Sequence, residues 1–332
     1  MSKPEASAMA GSERETAFLT AIERHRRELT AHCYRMLGSL QDAEELAQET
    51  LLRAWQRREE SASSGTRRAW LFAIATTACL DALRKSRRRR ARAQVITWDA
   101  SEVATWVQPA PDALFESDVL AGSEQQTPDA LTSSREHIGL AFVTALQLLS
   151  PKQRAAVLLV DVLGWRAEES AALLGTTTTS IHSLLQRARK TLQDHQRAPS
   201  DASSVEAPAL LRAFLASWEN GDVEGLVSLL AEDVRLSMPP EPESYQGRAA
   251  AAAFLAPFVR DAPTTYRFRP VAANGEAAVA LYHRTSLEEP FRASGISVLT
   301  FAGGRISTIT RYGVGPLFDR FGLPAELPAQ AP

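Results

Sequence analysis

The chain has 332 residues, 37 basic and 39 acidic, for a formal net charge of −2, with 45% hydrophobic residues and only two cysteines, Cys33 and Cys79. That hydrophobic content excludes wholesale disorder, two cysteines are too few for a disulfide framework or a Cys-rich zinc site, and a chain beyond ~250–300 residues calls for more than one core. The longest uncharged apolar stretch, near Ala249–Val259, is far shorter than the ~18 residues of a membrane span, and MSKPEASAMAGSERE lacks the apolar run of a signal peptide, so a cytoplasmic protein without a membrane partner is expected.

The near-zero total hides an alternation. The charge is +6 over 12–94, −7 over 95–136, +3 over 137–197 and −4 over 198–332. Basic segments suit a polyanion, and acidic ones suit the basic segments when the polyanion is absent, an attraction that salt weakens. The densest run is Arg84–Arg92, where seven of nine residues are Lys or Arg. It reads as a phosphate-contacting surface or as a solvated helix end favoured by the helix dipole.

In chain order, Phe18, Ile22, Leu29, Cys33, Met36 and Leu37 recur at three- and four-residue steps up to Gly38, a C-cap candidate. Asp42 is placed to cap a second helix carrying Leu46, Leu51, Ala54 and Trp55. Thr66 opens a third, with Trp70, Ile74, Ala78 and Leu83 on one side and the arginine cluster at its end. Residues 95–136 are rich in Asp, Glu, Ser and Pro, with two Trp and a Phe: a linker with aromatic anchors. Ser150-Pro151 starts another helix. A short helix through Ala171 and Leu174 ends at Gly175, and TTTTS then precedes a helix with Ile181, Leu184, Leu185 and Ala188 on its inner side. That is the helix-turn-helix pattern. After the polar stretch 198–208 come helices over Leu210–Trp218, on to Leu230 and around Ala249–Val259. Four β-like runs follow near Tyr266–Ala272, Ala277–Thr285, Ser294–Phe301 and Ile306–Tyr312, an α+β pattern.

The segments DAEELAQETLLRAW (42–55) and TRRAWLFAIATTACLDALRKSRRRR (66–90) resemble region 2 of bacterial RNA polymerase sigma factors of the extracytoplasmic-function (ECF) type, in the sigma-70 family. LLSPKQRAAVLLVDVLGWRAEESAALLGTTTTSIHSLLQRARKTL (148–192) resembles region 4 of the same group. The pieces WVQPAPDALF (106–115) and ISVLTFAGGRISTITRYGVGPLFDRFGLP (296–324) resemble a subgroup with a C-terminal SnoaL-like domain. The resemblance implies a multi-domain fold: an all-α region 2 bundle (14–94), an acidic linker with the Trp/Pro motif (95–136), an all-α region 4 helix-turn-helix (137–195), a flexible linker (196–208) and an α+β cone-shaped SnoaL-like domain (209–328). The function implied is promoter-specific transcription initiation with core RNA polymerase, modulated in cis by the last domain.

Residue by residue, Glu45, Gln48, Glu49 and Leu52 lie off the face that buries Leu46, Leu51 and Trp55. They read as an ordinary acidic solvent face or, by the resemblance, as the surface that docks on the polymerase clamp helices. Trp70 and Phe72 offer flat faces to unstacked bases while Arg84, Lys85, Arg87 and Arg88 hold phosphates, although Trp70 equally suits core packing. Thr77 stands where the family usually has Asn on the surface that reads the −10 element. For the −35 element, Thr178 and Thr179 sit near the start of the second helix of the helix-turn-helix, and His182, Ser183, Gln186, Arg187 and Lys190 remain for DNA. His182 replaces a more usual Asn. The polymerase flap is the further partner implied for this module.

No GxxxxGK[ST], HExxH or GxSxG is present. His25, Glu28 and His32 fall at i, i+3 and i+7, which permits metal ligation and equally makes a polar helix face; neither metal nor cofactor is expected. SnoaL-like relatives include enzymes with acid–base residues in a cone cavity. Here His283 is the one histidine of that segment, and Asp222, Asp233, Glu241 and Glu243 show no evident partner, so no enzyme activity is expected. A small ligand in the C-terminal cavity stays open as a partner. The other readings are a ligand-gated helix-turn-helix regulator that works without polymerase, and a cone-fold enzyme fused to a DNA-binding module.

Overall fold

Gly38 and Ser39 make the first corner of the helical part of the chain. Residues 15–23 are helical, and helix α1 (Arg26–Leu37) ends where Gly38 takes φ +74° and donates its N–H to the Tyr34 carbonyl. A side chain there would be strained by that φ and would also meet Gln147 Cδ at 3.1 Å. Ser39, rather than Asp42, caps α2 (Leu40–Gln56): its hydroxyl accepts from the Asp42 N–H at 3.2 Å. The extended backbone of Ser39 aims its hydroxyl at the free N–H groups, whereas Asp42 already lies inside the first turn, where its charge suits the helix dipole.

The computed structural model describes residues 15–63, 66–92, 107–116, 139–194, 206–239, 241, 243–313 and 317–329. Most of the two expected linkers, with Trp98 and Trp106, lies outside them, as do the side chains of residues 89–92. The described chain forms two units, one of residues up to 107, 113–116 and 142–194, the other of 108–112, 139–141 and 206–329.

In the first unit, Thr66 caps α3 (Arg67–Arg92), accepting from the Ala69 N–H at 3.3 Å. The buried residues of α3 are Trp70, Leu71, Phe72, Ala75, Thr76, Ala78 and Cys79; of the expected inner side Trp70 and Ala78 are buried, while Ile74 and Leu83 are half-buried. Helix α3 packs against both α1 and α2, so its buried arc is wider than, and rotated from, the single face suggested by spacing. Helix α4 (Leu140–Gln147) leads to α5 (Pro151–Val157), opened by a capping box in which Ser150 and Gln153 each bond the other's backbone N–H. A π-turn (Leu158–Val162) follows, then α6 (Ala167–Leu174), closed by left-handed Gly175, and α7 (Thr178–Asp194).

In the second unit, α8 (Ala207–Glu219) and α9 (Val223–Leu229) precede a mixed sheet. Asp222, without a partner visible in sequence, is the N-cap of α9, accepting from the Gly225 N–H at 2.8 Å. Leu230, expected to end a helix, instead opens strand β1 (Leu230–Ser237), and β2 (Ser244–Gln246) pairs with it. Helix α10 (Arg248–Thr265) is followed by β3 (Tyr266–Ala273), β4 (Glu276–His283), β5 (Phe291–Ala302), β6 (Arg305–Gly313), α11 (Leu317–Arg320) and β7 (Glu326–Leu327). The strand order is β2-β1-β6-β5-β4-β3 with β7 on β5, and the β1–β6 pairing is parallel while the other ladders are antiparallel. Helices α8–α10 cover one sheet face over Trp218, Leu226, Val259, Leu299 and Ile309, while Tyr282, Phe291, Ile296 and Phe318 form a second core on the other. The β3–β4 turn is Asn274-Gly275, both at positive φ (55° and 73°), the geometry that matches strand twist in a two-residue hairpin.

That hairpin holds residues from far upstream. Asn274 and Ala110 exchange two hydrogen bonds: the Ala110 N–H donates to Asn274 Oδ1 at 2.8 Å, and the Asn274 N–H to the Ala110 carbonyl at 3.0 Å. The Gly275 N–H donates to the Asp112 carboxylate at 2.7 Å, and Pro111 forms a β-bridge with Ala273. In the first unit, Phe115 is buried 6.0 Å from the Tyr34 ring with Arg35 over its face.

His32, placed by sequence on a polar helix face, is in the core. Its Nε2 lies 2.9 Å from the Thr76 hydroxyl, which donates onward to the Phe72 carbonyl, so Nε2 carries a proton. Burial, reinforced by the charges of Arg35 and Arg68, pulls its pKa down to about 3 from an ordinary 6.5. Below pH 6.5 the unfolded chain takes up a proton that the folded chain refuses. The stabilisation is therefore complete above that pH and is lost as pH falls towards 3, by at most about 1.4 kcal/mol per pH unit. The thermal midpoint is expected to fall between pH 7 and pH 5, and to fall less in His32→Gln, as read by circular dichroism; equal slopes in both proteins would refute the assignment.

Candidate nucleic-acid and polymerase interface

The clearest candidate reading surface is α7. Thr177 stands before it as a cap, its hydroxyl accepting from the Ser180 N–H at 3.2 Å. Ile181, Leu185 and Ala188 are buried and Leu184 half-buried, which anchors the inner side. Thr179, His182, Ser183, Gln186, Arg187 and Lys190 are exposed on the opposite side, with Thr178 half-buried at its edge. Arg189 is excluded from this surface: it forms a two-point ion pair with Asp161, at 2.6 and 3.1 Å, that fixes α7 to the π-turn. The Arg187 Nε donates to the Ser183 carbonyl at 3.2 Å.

On α3, Thr77, Arg84, Lys85, Arg87 and Arg88 are exposed, and Arg84 pairs with Asp81 at 2.7 Å. Two expected base contacts are corrected. Phe72 is 1% exposed, edge-on to His32 at 5.2 Å and capped by the Arg68 guanidinium at 4.8 Å; Trp70 is buried as well. The Phe72 ring packs on His32 of α1 and Trp70 is buried, so neither offers a face to an unstacked base. On α2, Glu45, Gln48 and Leu52 are exposed and Glu49 is half-buried, paired with Arg53 at 2.7 Å. Leu52 is 55% exposed, an apolar side chain set in an acid-and-amide surface. Among the described residues no group of His, Cys, Asp and Glu could hold a metal, and no helix is long and apolar enough to cross a membrane.

Sequence reasoning missed Arg154. It stands in α5, 4% exposed, and no carboxylate is among its hydrogen-bond partners. Its Nη1 donates to the Met36 carbonyl and Gln147 Oε1, and its Nη2 to the carbonyls of Gln147 (3.1 Å) and Leu149 (3.2 Å). The Gln147 amide donates in turn to the Arg35 carbonyl at 3.2 Å. The segment around α5 thus binds the carbonyls that α1 leaves free at its C-terminus, where the helix dipole favours a cation. Burial pulls Arg154 down to about 10, still cationic at neutral pH. A lone Arg directly before the apolar run Ala155–Val160 was the one available signal.

Comparison with known proteins places these modules. Residues 21–89 match the Sigma-70 region 2 family, 139–192 match Sigma-70, region 4, and 211–309 match the SnoaL-like domain. The chain is 38% identical over 330 residues to the ECF RNA polymerase sigma factor SigG of Mycobacterium tuberculosis (strain ATCC 25618 / H37Rv), which covers 95% of this chain and 86% of the relative. The chain belongs to the ECF RNA polymerase sigma factors. It is also similar to SigJ of the same strain, 29% identical over 65% of this chain and 63% of that one. The crystal structure of Mycobacterium tuberculosis SigJ shares the fold, with a TM-score of 0.61 at 22% identity over 92% of this chain and 99% of that one. As an ECF sigma factor, the protein binds core RNA polymerase and directs promoter-specific transcription initiation, and its family is not one of enzymes. Within this sigma factor, Arg154 joins the region 4 match to the region 2 match.

Removing the guanidinium leaves the carbonyls of Met36 and Leu149 without this donor, at about 1–3 kcal/mol per unsatisfied buried group. Arg154→Ala is expected to lower the thermal midpoint by several degrees, and Arg154→Met, which restores volume without donors, to recover only part. In hydrogen-exchange mass spectrometry both variants should exchange faster around 35–40 and 146–154. Unchanged midpoint and exchange would remove the contact from the stability of this unit.

Proposed function

We propose that region 2 (14–94) contacts the polymerase clamp helices and the −10 element, that region 4 (137–195) contacts the −35 element and the polymerase flap, and that the SnoaL-like domain (209–328) modulates initiation in cis in the cytoplasm. The observation that carries the reading is the exposed face of α7, where His182, Ser183, Gln186, Arg187 and Lys190 stand together behind the Thr177 cap. Gln and Arg read the edges of A and G bidentately, and Lys190 with Thr178 and Thr179 meets phosphates. On the −10 side, Thr77 faces the DNA and Arg84, Lys85, Arg87 and Arg88 hold the backbone. Glu45, Gln48, Glu49 and Leu52 dock on a basic partner helix, with Leu52 as the apolar anchor.

Modulation in cis is supported by the bonds of Ala110 and Asp112 to the Asn274-Gly275 turn, because this tract lies in sequence between the two sigma modules. A binding rather than catalytic role for the SnoaL-like domain is supported by His283, which lies 5.2 Å from the Tyr266 ring and does not line the cavity of that domain.

Arg187→Ala is expected to weaken holoenzyme binding to its promoter by about 1–3 kcal/mol and relax preference at one base pair, and Lys190→Ala to reduce the salt dependence by about one phosphate contact. Fluorescence anisotropy over a salt series with a promoter mapped by run-off transcription measures both. Leu52→Asp should lose core polymerase in a pull-down at unchanged thermal midpoint. For regulation, the Asp112→Ala, Asn274→Ala double variant and a chain ending at residue 200 should both change run-off output from the same promoter; unchanged output in both would dismiss modulation in cis.

A further inference from the structure

Between α8, α10 and the covered sheet face lies a cavity of about 60 Å³. Its wall is mostly aromatic and aliphatic: Phe214 and Trp218 from α8, Phe254 from α10, and Tyr266 and Phe268 from β3. Two of the residues that line it carry a buried donor without a partner. Trp218 is 7% exposed, and its indole Nε1–H has no hydrogen-bond partner; the buried Arg311 Nε–H, from β6, has none either. An unpaired buried donor costs about 1–3 kcal/mol, and most such groups in folded proteins are satisfied by protein or water. Two such groups on residues that line one cavity point to an acceptor that the chain itself does not supply.

The arginine is positioned for this task. Its Nη2 donates to the Ser294 hydroxyl at 2.8 Å and to the Ser294 carbonyl at 3.4 Å, which fixes the guanidinium plane and leaves Nε for another partner. Gly295 beside it admits no side chain: a β-carbon there would meet the Tyr312 carbonyl at 2.4 Å and Arg311 Nε at 3.4 Å. No Asp or Glu lines the cavity, so the arginine charge meets no carboxylate on that wall. Burial lowers the Arg311 pKa, with Tyr266 and Glu241 opposing the shift. The lining contains Ser297 and Tyr266 but no histidine or carboxylate, a set suited to holding a molecule rather than transforming it.

We propose that this cavity binds a compact amphipathic carboxylate, its apolar body among Phe214, Phe254 and Phe268 and its carboxylate accepting from Arg311 Nε–H and Trp218 Nε1–H. The proposal rests on the reading of the SnoaL-like domain as a regulatory module and gives that module its chemical signal. An apolar body alone would leave both donors unpaired, and a cation would meet the arginine with like charge. The small volume favours a single ring or short branched chain over a long acyl chain.

The test uses full-length protein with three matched probes: phenylacetate, 2-phenylethanol and phenethylamine. Isothermal titration calorimetry and thermal shift are expected to show phenylacetate binding at least tenfold more tightly than the alcohol, with no binding of the amine. Arg311→Gln should abolish the acid-over-alcohol preference. Trp218→Phe, which keeps the aromatic body and loses the N–H, should weaken phenylacetate several-fold while sparing the alcohol. Should Arg311→Gln fail to fold, the wild-type acid-to-alcohol ratio and Trp218→Phe decide. Equal binding of acid and alcohol by the wild-type protein, or no binding of phenylacetate at millimolar concentration, overturns the proposal. Run-off transcription with and without phenylacetate separates the two claims: binding without a change in output sinks ligand control and leaves the site standing. Conversely, absent binding beside an altered output from the truncated chain sinks the site and leaves modulation in cis.

Discussion

A buried cation held by carbonyl oxygens is the constraint around which the helical unit is arranged. Arg154 has left water without an opposing carboxylate, so its desolvation is offset by the dipole and free carbonyls at the end of α1. That solution demands a particular corner. Gly38 must turn left-handed to expose the carbonyls, Gln147 must bridge Arg35 to Arg154, and Ser150 must start α5 where the guanidinium can reach. The same contact joins segments that match two different sigma regions.

Apolar anchoring and polar presentation are divided cleanly on α7 and poorly on α3. On α7, three buried side chains and the Asp161–Arg189 pair hold one side, and the remaining side is exposed. Helix α3 is gripped by two neighbouring helices, and its aromatics are consumed by that packing. What it leaves outside is Thr77 and the basic end. A surface of this kind supplies electrostatic affinity with little sequence information.

The second unit solves a different problem. One sheet face is filled by helices except for a cavity, and the other is closed by the C-terminal stretch, where Tyr282 donates to the Pro324 carbonyl and Arg284 to that of Ala329. The Asn274-Gly275 turn uses its positive φ twice: it reverses the chain, and it presents Asn274 Oδ1 and the Gly275 N–H to Ala110 and Asp112. A hairpin turn in one unit therefore holds residues that lie, in sequence, between the sigma modules.

Local order alone determined much of this protein. The three-to-four-residue spacing of Ile181, Leu185 and Ala188 set the exposed side of α7, Gly38 and Gly175 marked helix ends through their conformational freedom, and four β-like runs marked β3 to β6. The motifs of regions 2 and 4 are likewise local, and so were readable. What failed were properties that depend on neighbours distant in the chain. Spacing could not say that α3 packs on two helices and buries Phe72, that Leu230 begins a strand because β6 lies beside it, or that His32 meets Thr76 rather than solvent. Nor could it show Arg154 at the end of α1, or two unpaired donors on residues that line one cavity. Periodicity reports which side of an element is apolar, while the partner of a polar group is fixed by tertiary contact, because a hydrogen bond requires an atom at about 3 Å wherever in the sequence that atom lies.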